Sequence, residues 1–172
     1  MKHLFTLIAL LSLSICNGQW AKTFGGPEED KATCVLQTND GGYIIAGQTK
    51  SFGNAAGKAD IWLIKTDANG DSLWSKTYGG NETDITHSLR QTSDGGYIIA
   101  GTTESYGSGM EDVWLIKTNS SGDTIWTKTW GTNLNDRANS IALTNDGGYI
   151  ITGYQGTDKV WVIKTDSTGT ES

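Results

Sequence analysis

One octapeptide recurs three times, as DGGYIIAG from Asp40, DGGYIIAG from Asp94 and DGGYIITG from Asp146, at offsets of 54 and 52 residues. Two further segments keep step with it. IWLIKTD (Ile61), VWLIKTN (Val113) and VWVIKTD (Val160) form one series, and WAKTFGG (Trp20), WSKTYGG (Trp74) and WTKTWGT (Trp126) form the other. A period of this size means a repeated supersecondary unit, in which each copy buries its apolar faces only against its neighbours.

Within one unit, Lys31 to Thr38 reads as a strand. The Asn39-Asp40-Gly41-Gly42 turn supplies the positive φ that a tight hairpin needs, and Tyr43 to Gln48 returns antiparallel. A loop rich in Gly, Ser and Asn runs from Thr49 to Ala59. The apolar run Asp60 to Thr66 does not alternate, as expected of a strand buried on both faces. Asp67 to Asp71 turns the chain, Ser72 to Tyr78 is the fourth strand, and Gly79-Gly80 ends it. Helical periodicity is absent throughout, and the composition agrees with turns and strands together: 23 Gly, 7 Trp and a single Pro in 172 residues.

Four short antiparallel strands in each unit predict an all-β fold of β-propeller blades, about three of them, over residues 19–172, with repeats at about 20–73, 74–125 and 126–172. Counting Trp20 to Gly26 as a strand gives twelve, with the first shaped like the one lacking from the last unit. Propellers usually have four to eight blades. The expectation is therefore that this region belongs to a larger propeller in a longer chain, or that two copies form a homodimer that completes one ring.

On DGGYIIAG, WLIKTD and WSKTYGG, the stretch from Trp20 to Asp166 resembles the tandem-repeat propellers of large secreted bacterial proteins that use type IX secretion. DANGDSLWSKTYGG also resembles, more loosely, the blades of quinoprotein-like propellers. The first resemblance implies export to the surface or medium. The second implies a fold only, in which Trp docks between blades, and it carries over no cofactor residue, so no cofactor is expected.

The start, MKHLFTLIALLSLSICNGQW, has a basic residue, an apolar run from Leu4 to about Ile15 and then small or polar residues. It reads as a signal peptide over residues 1–18, cleaved near Gly18/Gln19. Ile15 stands where lipoprotein signals carry a small residue, so no lipid anchor at Cys16 is expected. The apolar run is too short to span a bilayer, and membrane insertion is not expected. Losing Lys2 takes the formal net charge from −6 to −7, which disfavours nucleic acid and anionic lipid. Cys34 becomes the one cysteine left, so stability has to come from packing rather than a disulfide.

The residues that could carry chemistry mostly have structural explanations. Six tryptophans in equivalent places fit blade-to-blade packing better than a stacking surface for sugars. The Asp67, Asn119 and Asp166 turns resemble only the front of a calcium loop and lack its glutamate, so no metal is expected. Asp30, Asp84 and Asp136, like Asp40, Asp94 and Asp146, return in every copy, as turn-capping carboxylates do. Cys34 and His87 lie in different copies and form no nucleophile–base pair, so no catalytic residue is expected.

The loops differ most between copies, and variable loops on one rim are where such scaffolds bind partners. A ligand-binding rim is expected at Phe52, Asn54, Tyr106, Met110 and Tyr154. The leading functional expectation is a secreted or surface-exposed, non-enzymatic propeller for an extracellular protein or glycan. The alternatives are the propeller part of a glycan-active enzyme whose catalytic residues lie outside this chain, and a purely structural surface module.

Overall fold

A β-branched and aromatic sequence punctuated by Gly every few residues has one economical solution, short strands joined by tight turns. A computed structural model describes residues 19–54 and 56–171, so the expected signal segment, with Cys16, lies outside the described residues. Eleven strands form: β1 (Asp30–Gln37), β2 (Tyr43–Thr49), β3 (Asp60–Thr66), β4 (Ser72–Tyr78), β5 (Asp84–Gln91), β6 (Tyr97–Thr103), β7 (Asp112–Thr118), β8 (Thr124–Trp130), β9 (Asp136–Leu143), β10 (Tyr149–Gln155) and β11 (Lys159–Thr165).

They make three antiparallel sheets in chain order, β1-β2-β3-β4, β5-β6-β7-β8 and β9-β10-β11. This is an all-β fold of repeated blade-like sheets, as the period predicts. The twelfth strand is not formed: Gln19 to Glu29 contains no strand. The equivalents of Trp20–Phe24 in β4 and β8 pair with β3 and β7, the strands that precede them. Trp20–Phe24 has no such strand before it among the described residues, and an extended segment without a ladder partner is not a strand.

Each unit repeats the same local devices. Gly41 N donates to Thr38 O at 2.9 Å and Thr38 N to Gly42 O at 2.9 Å, a type I turn closed by one left-handed glycine, Gly41, with φ 84°. The turn thus needs one positive φ where Asn39-Asp40-Gly41-Gly42 offers several. The first strand of each unit carries a bulge, between Ala32 and Cys34, between Thr86 and Ser88, and between Ala138 and Ser140. Opposite the bulges stand Gly47, Gly101 and Gly153, and a β-carbon on any of them would strike the backbone carbonyl of Lys31, Ile85 or Arg137. The glycine of YIIAG is there for that close approach.

The core lies between the sheets. Ile44, Ala46, Ile61 and Leu63 of the first sheet meet Leu89, Tyr97, Ile99, Trp114 and Ile116 of the second. On the second sheet's other face, Ile98, Ala100, Val113 and Leu115 meet Ala138, Ile141, Tyr149, Ile151 and Ile163 of the third. Alternate residues of β6 and β7 therefore serve two interfaces, and both strands are buried along their whole length. Each such Ile or Leu contributes roughly 1.5–3 kcal/mol through burial.

The tryptophans lock neighbouring sheets. Trp74 packs on Tyr97 and Trp126 on Tyr149, both with ring centroids 6.1 Å apart, and Trp20 packs on Tyr43 at 5.7 Å. The Tyr78 hydroxyl donates to Gly122 O at 2.6 Å across the same boundary. No helix long and apolar enough to cross a membrane occurs among the described residues.

Candidate functional site

The strand order puts the β2–β3, β6–β7 and β10–β11 loops on one rim, together with the segments that lead into β5 and β9. The five rim residues expected from the sequence all lie there, but they do not form one surface. Phe52 tilts against Trp62 with ring centroids 5.2 Å apart, and Tyr106 stands on Trp114 in the same way at 5.1 Å. The Tyr106 hydroxyl donates to Gly79 O at 2.9 Å, and Asn54 Nδ2 donates to the same carbonyl at 3.0 Å. The Ser-aromatic-Gly start of the β2–β3 and β6–β7 loops is therefore a clasp, in which the ring packs on the tryptophan of its own sheet and Tyr106 reaches back to the carbonyl that follows β4, and it leaves both rings partly exposed.

Two clefts open beside these clasps. The first, of about 460 Å³, brings Asn54 and Tyr106 together with Trp114 and with Thr127, Lys128 and Thr129 of β8. The second, of about 490 Å³, holds Met110 and Tyr154 with Leu134 and Asn135. Phe52 lines neither. The contribution of Thr127, Lys128 and Thr129 was not anticipated, because WTKTWGT looks like every other copy of its segment. The available signal is that β8 is an edge strand whose residues from Thr127 to Thr129 are all polar and exposed.

The carboxylates of the rim serve the fold. Asp84 Oδ2 accepts Gly80 N at 2.9 Å and the Ser105 hydroxyl at 2.7 Å, and Asp30 Oδ2 accepts Gly26 N at 2.8 Å and the Ser51 hydroxyl at 2.7 Å. Each therefore closes the turn into its strand. Asp60 is fully buried, accepts Asn54 N at 2.8 Å through one oxygen and leaves the other unpartnered. Burial, with Asp84 adding like charge, pushes the Asp60 carboxyl above its ordinary range, and Asp112 is raised in the same way beside Asp136. Neither Asp60 nor Asp84 lines the open cleft.

On the opposite rim, Asp40 accepts Gly42 N at 3.0 Å and pairs with Lys65 at 2.9 Å, and Asp94 accepts Gly96 N at 2.9 Å and pairs with Lys117 at 2.8 Å. Hydrogen bonds from Thr38 and Lys65 hold Asp40 down to about 2. Lys117, Thr92 and Gly96 outweigh burial to hold Asp94 at about 2 as well. Asp67 Oδ1 accepts Asn69 N and Asp71 N, both at 2.8 Å, so the calcium-like turn spends its carboxylate on its own backbone.

Burial pushes the Cys34 thiol up and the His87 imidazole down, and His87 Nε2 lies 3.0 Å from the Thr102 hydroxyl. The first is a poor nucleophile and the second is engaged within its own sheet. Among the described residues, no group of three or more His, Cys, Asp or Glu is arranged to hold a metal ion.

No family model matches the chain. A curated relative, "Regulatory protein FlaEY" of Caulobacter vibrioides, is 25% identical over 149 residues, covering 78% of this chain and 16% of the relative. A solved structure described as a protein of unknown function from Bacteroides caccae matches with a TM-score of 0.54 and 12% identity, over 85% of this chain and 46% of the other. This chain thus spans about a sixth of the first and somewhat under half of the second. The structural likeness supports the β-propeller-like repeat fold.

Proposed function

We propose that this protein is an exported, non-catalytic binding module whose blade-like sheets present the cleft at Asn54, Tyr106, Thr127, Lys128 and Thr129 to an extracellular glycan. Export rests on the basic and apolar start of residues 1–18. The observation that carries the binding reading is the make-up of the cleft: neutral hydroxyl and amide groups of Asn54, Thr77, Thr124, Thr127 and Thr129 beside the rings of Tyr78, Tyr106 and Trp114, one lysine and no carboxylate. Polyhydroxylated ligands are recognised by hydrogen bonds directed from such groups and by apolar contact with ring edges.

Cleavage of a glycan takes two carboxyl groups flanking the bond, one to protonate and one to attack or to activate water. The carboxylates nearest this cleft are engaged in turns or buried beneath it, which favours binding over hydrolysis. A regulatory role, the word in the name of the Caulobacter relative, is compatible with a module that binds and does not turn over.

The test is binding of the purified protein to immobilised neutral and acidic oligosaccharides, with unstructured peptides as the comparison. Neutral glycans should bind, and Thr127→Trp, which fills the cleft from an exposed edge position, should weaken them at least tenfold while shifting Tm by no more than a few degrees. Binding that survives this substitution, or that is confined to peptides, overturns the reading.

A further inference from the structure

The two interfaces inside the molecule use one pair of faces twice. The donating face is Ile61 and Leu63 in the first sheet and Val113 and Leu115 in the second, all essentially fully buried. The receiving face is Leu89 and Ile99 in the second sheet and Ile141 and Ile151 in the third, equally buried. The same two faces are left over at the ends of the stack. The equivalents of the donating pair in the third sheet are Val160 and Val162, 85% and 54% exposed, and the equivalent of Leu89 in the first sheet is Val35, 59% exposed.

A second pair of features is left over at the same places. β11 ends in the one rung Thr165↔Glu171, which matches Thr66↔Ser72 and Thr118↔Thr124 of the other sheets. From Lys164 back to Lys159 its outer edge has no partner among the described residues. Trp20–Phe24, the repeat equivalent of the missing strand, lies unpaired against the first sheet in the pose that β4 and β8 take against the sheets that follow them. Trp20 covers Gly70 as Trp74 covers Gly122, and Lys22 pairs with Asp71 at 2.7 Å as Lys76 pairs with Asp123 at 3.1 Å. The segment thus holds the place of the fourth strand of a sheet that is not among the described residues.

We infer that this sheet is the third sheet of a second copy of this chain. Trp20–Phe24 of each copy completes β9-β10-β11 of the other as its fourth strand, with Val160 and Val162 seated on Val35 and Ile45. The inference is independent of what the rim binds.

The repeat equivalence sets the register: Phe24 opposite Val160, Thr23 opposite Trp161, Lys22 opposite Val162, Ala21 opposite Ile163 and Trp20 opposite Lys164, as in the β3–β4 ladder. Contact of unlike faces closes into a ring when the rotation permits and otherwise grows without limit. Two features favour closure with two copies. The Bacteroides structure that this chain matches is roughly twice as long as this chain, and six blades lie within the usual propeller range. Main-chain pairing of an exposed edge with an extended segment from another molecule is an established recognition mode.

The experiment uses the full chain produced in a secreting host, with mass measured by light scattering on a sizing column. The expected result is twice the monomer mass. Val160→Asp and Val162→Asp, at positions exposed in the single copy, should each give a folded monomer with an unchanged far-ultraviolet spectrum. A Lys22→Cys, Val162→Cys double variant in a Cys34→Ser background should oxidise to a cross-linked dimer, while the off-register pair Lys22→Cys, Val160→Cys should not. A stable monomer of the wild-type chain, an open ladder of masses, a dimer that survives both aspartates, or a disulfide formed within one chain would each overturn the inference.

Discussion

At the scale of single residues, the recurring aspartates separate two uses of one side chain. Asp40 and Asp94 are ionised partners of Lys65 and Lys117, whose side chains are nearly buried while the carboxylates themselves remain largely exposed. A carboxylate lowered to about 2 in the fold contributes stability that is present above its unfolded pKa near 4 and lost as pH falls towards 2. Thermal unfolding should therefore show a drop in Tm between pH 4 and 2, reduced in a Lys65→Met, Lys117→Met variant. Asp60 works the other way. Its pKa is raised, so the fold favours the protonated form, and the penalty for ionising it grows as pH rises above the ordinary carboxylate range. Asp60→Asn keeps an oxygen for Asn54 N and removes that penalty. It should raise Tm at pH 7 by about 2–4 °C, equivalent to about 1 kcal/mol for a domain of this size, and leave Tm nearly unchanged near pH 3. Asp60 could be read from the sequence only as the first residue of a strand; nothing there shows that Asp84 closes on it.

At the scale of elements, the strands, their order and the turns were legible because each has a local cause: Gly at the left-handed position, an apolar run for the doubly buried β3 and β7, and a Gly that ends β4 and β8. The bulges were not legible as bulges, although YIIAG carries their mark in its glycine. Gly101→Ala is expected to cost about 1–3 kcal/mol, because the methyl meets the Ile85 carbonyl and the sheet cannot move without breaking its ladder. Denaturant unfolding of this variant beside Ala100→Gly would separate the clash from a simple change of β propensity. Trp20–Phe24 marks the limit of sequence pattern: its residues have every feature of a strand, and a strand still needs a neighbour. The rim loops show the same limit. Variation between copies located Asn54, Tyr106, Met110 and Tyr154, but only the packing of the loops on Trp62 and Trp114 shows which of them face open space.

At the scale of the whole molecule, the period predicts the architecture and leaves the assembly to the surfaces. Removing a large side chain should be felt according to which sheet holds it. Ile99→Ala, in the middle of the first interface, is expected to cost about 2–5 kcal/mol through lost burial and a cavity. Val160→Ala should be nearly silent in a single copy. Comparing the two by denaturant unfolding at low and high protein concentration reads stability and association together, since a dimer gains stability with concentration and a monomer does not.

The sharing of β6 and β7 between two interfaces has a consequence for how the molecule opens. In a single copy, such as the Val160→Asp variant, the stack loses its ends before its middle, because an outer sheet gives up one interface on leaving and the central sheet must give up two. Amide protons of Ile99 and Leu115 should then exchange with solvent water more slowly than those of Ile45 and Val162, and the protection would fall off in both directions along the chain from a slow centre.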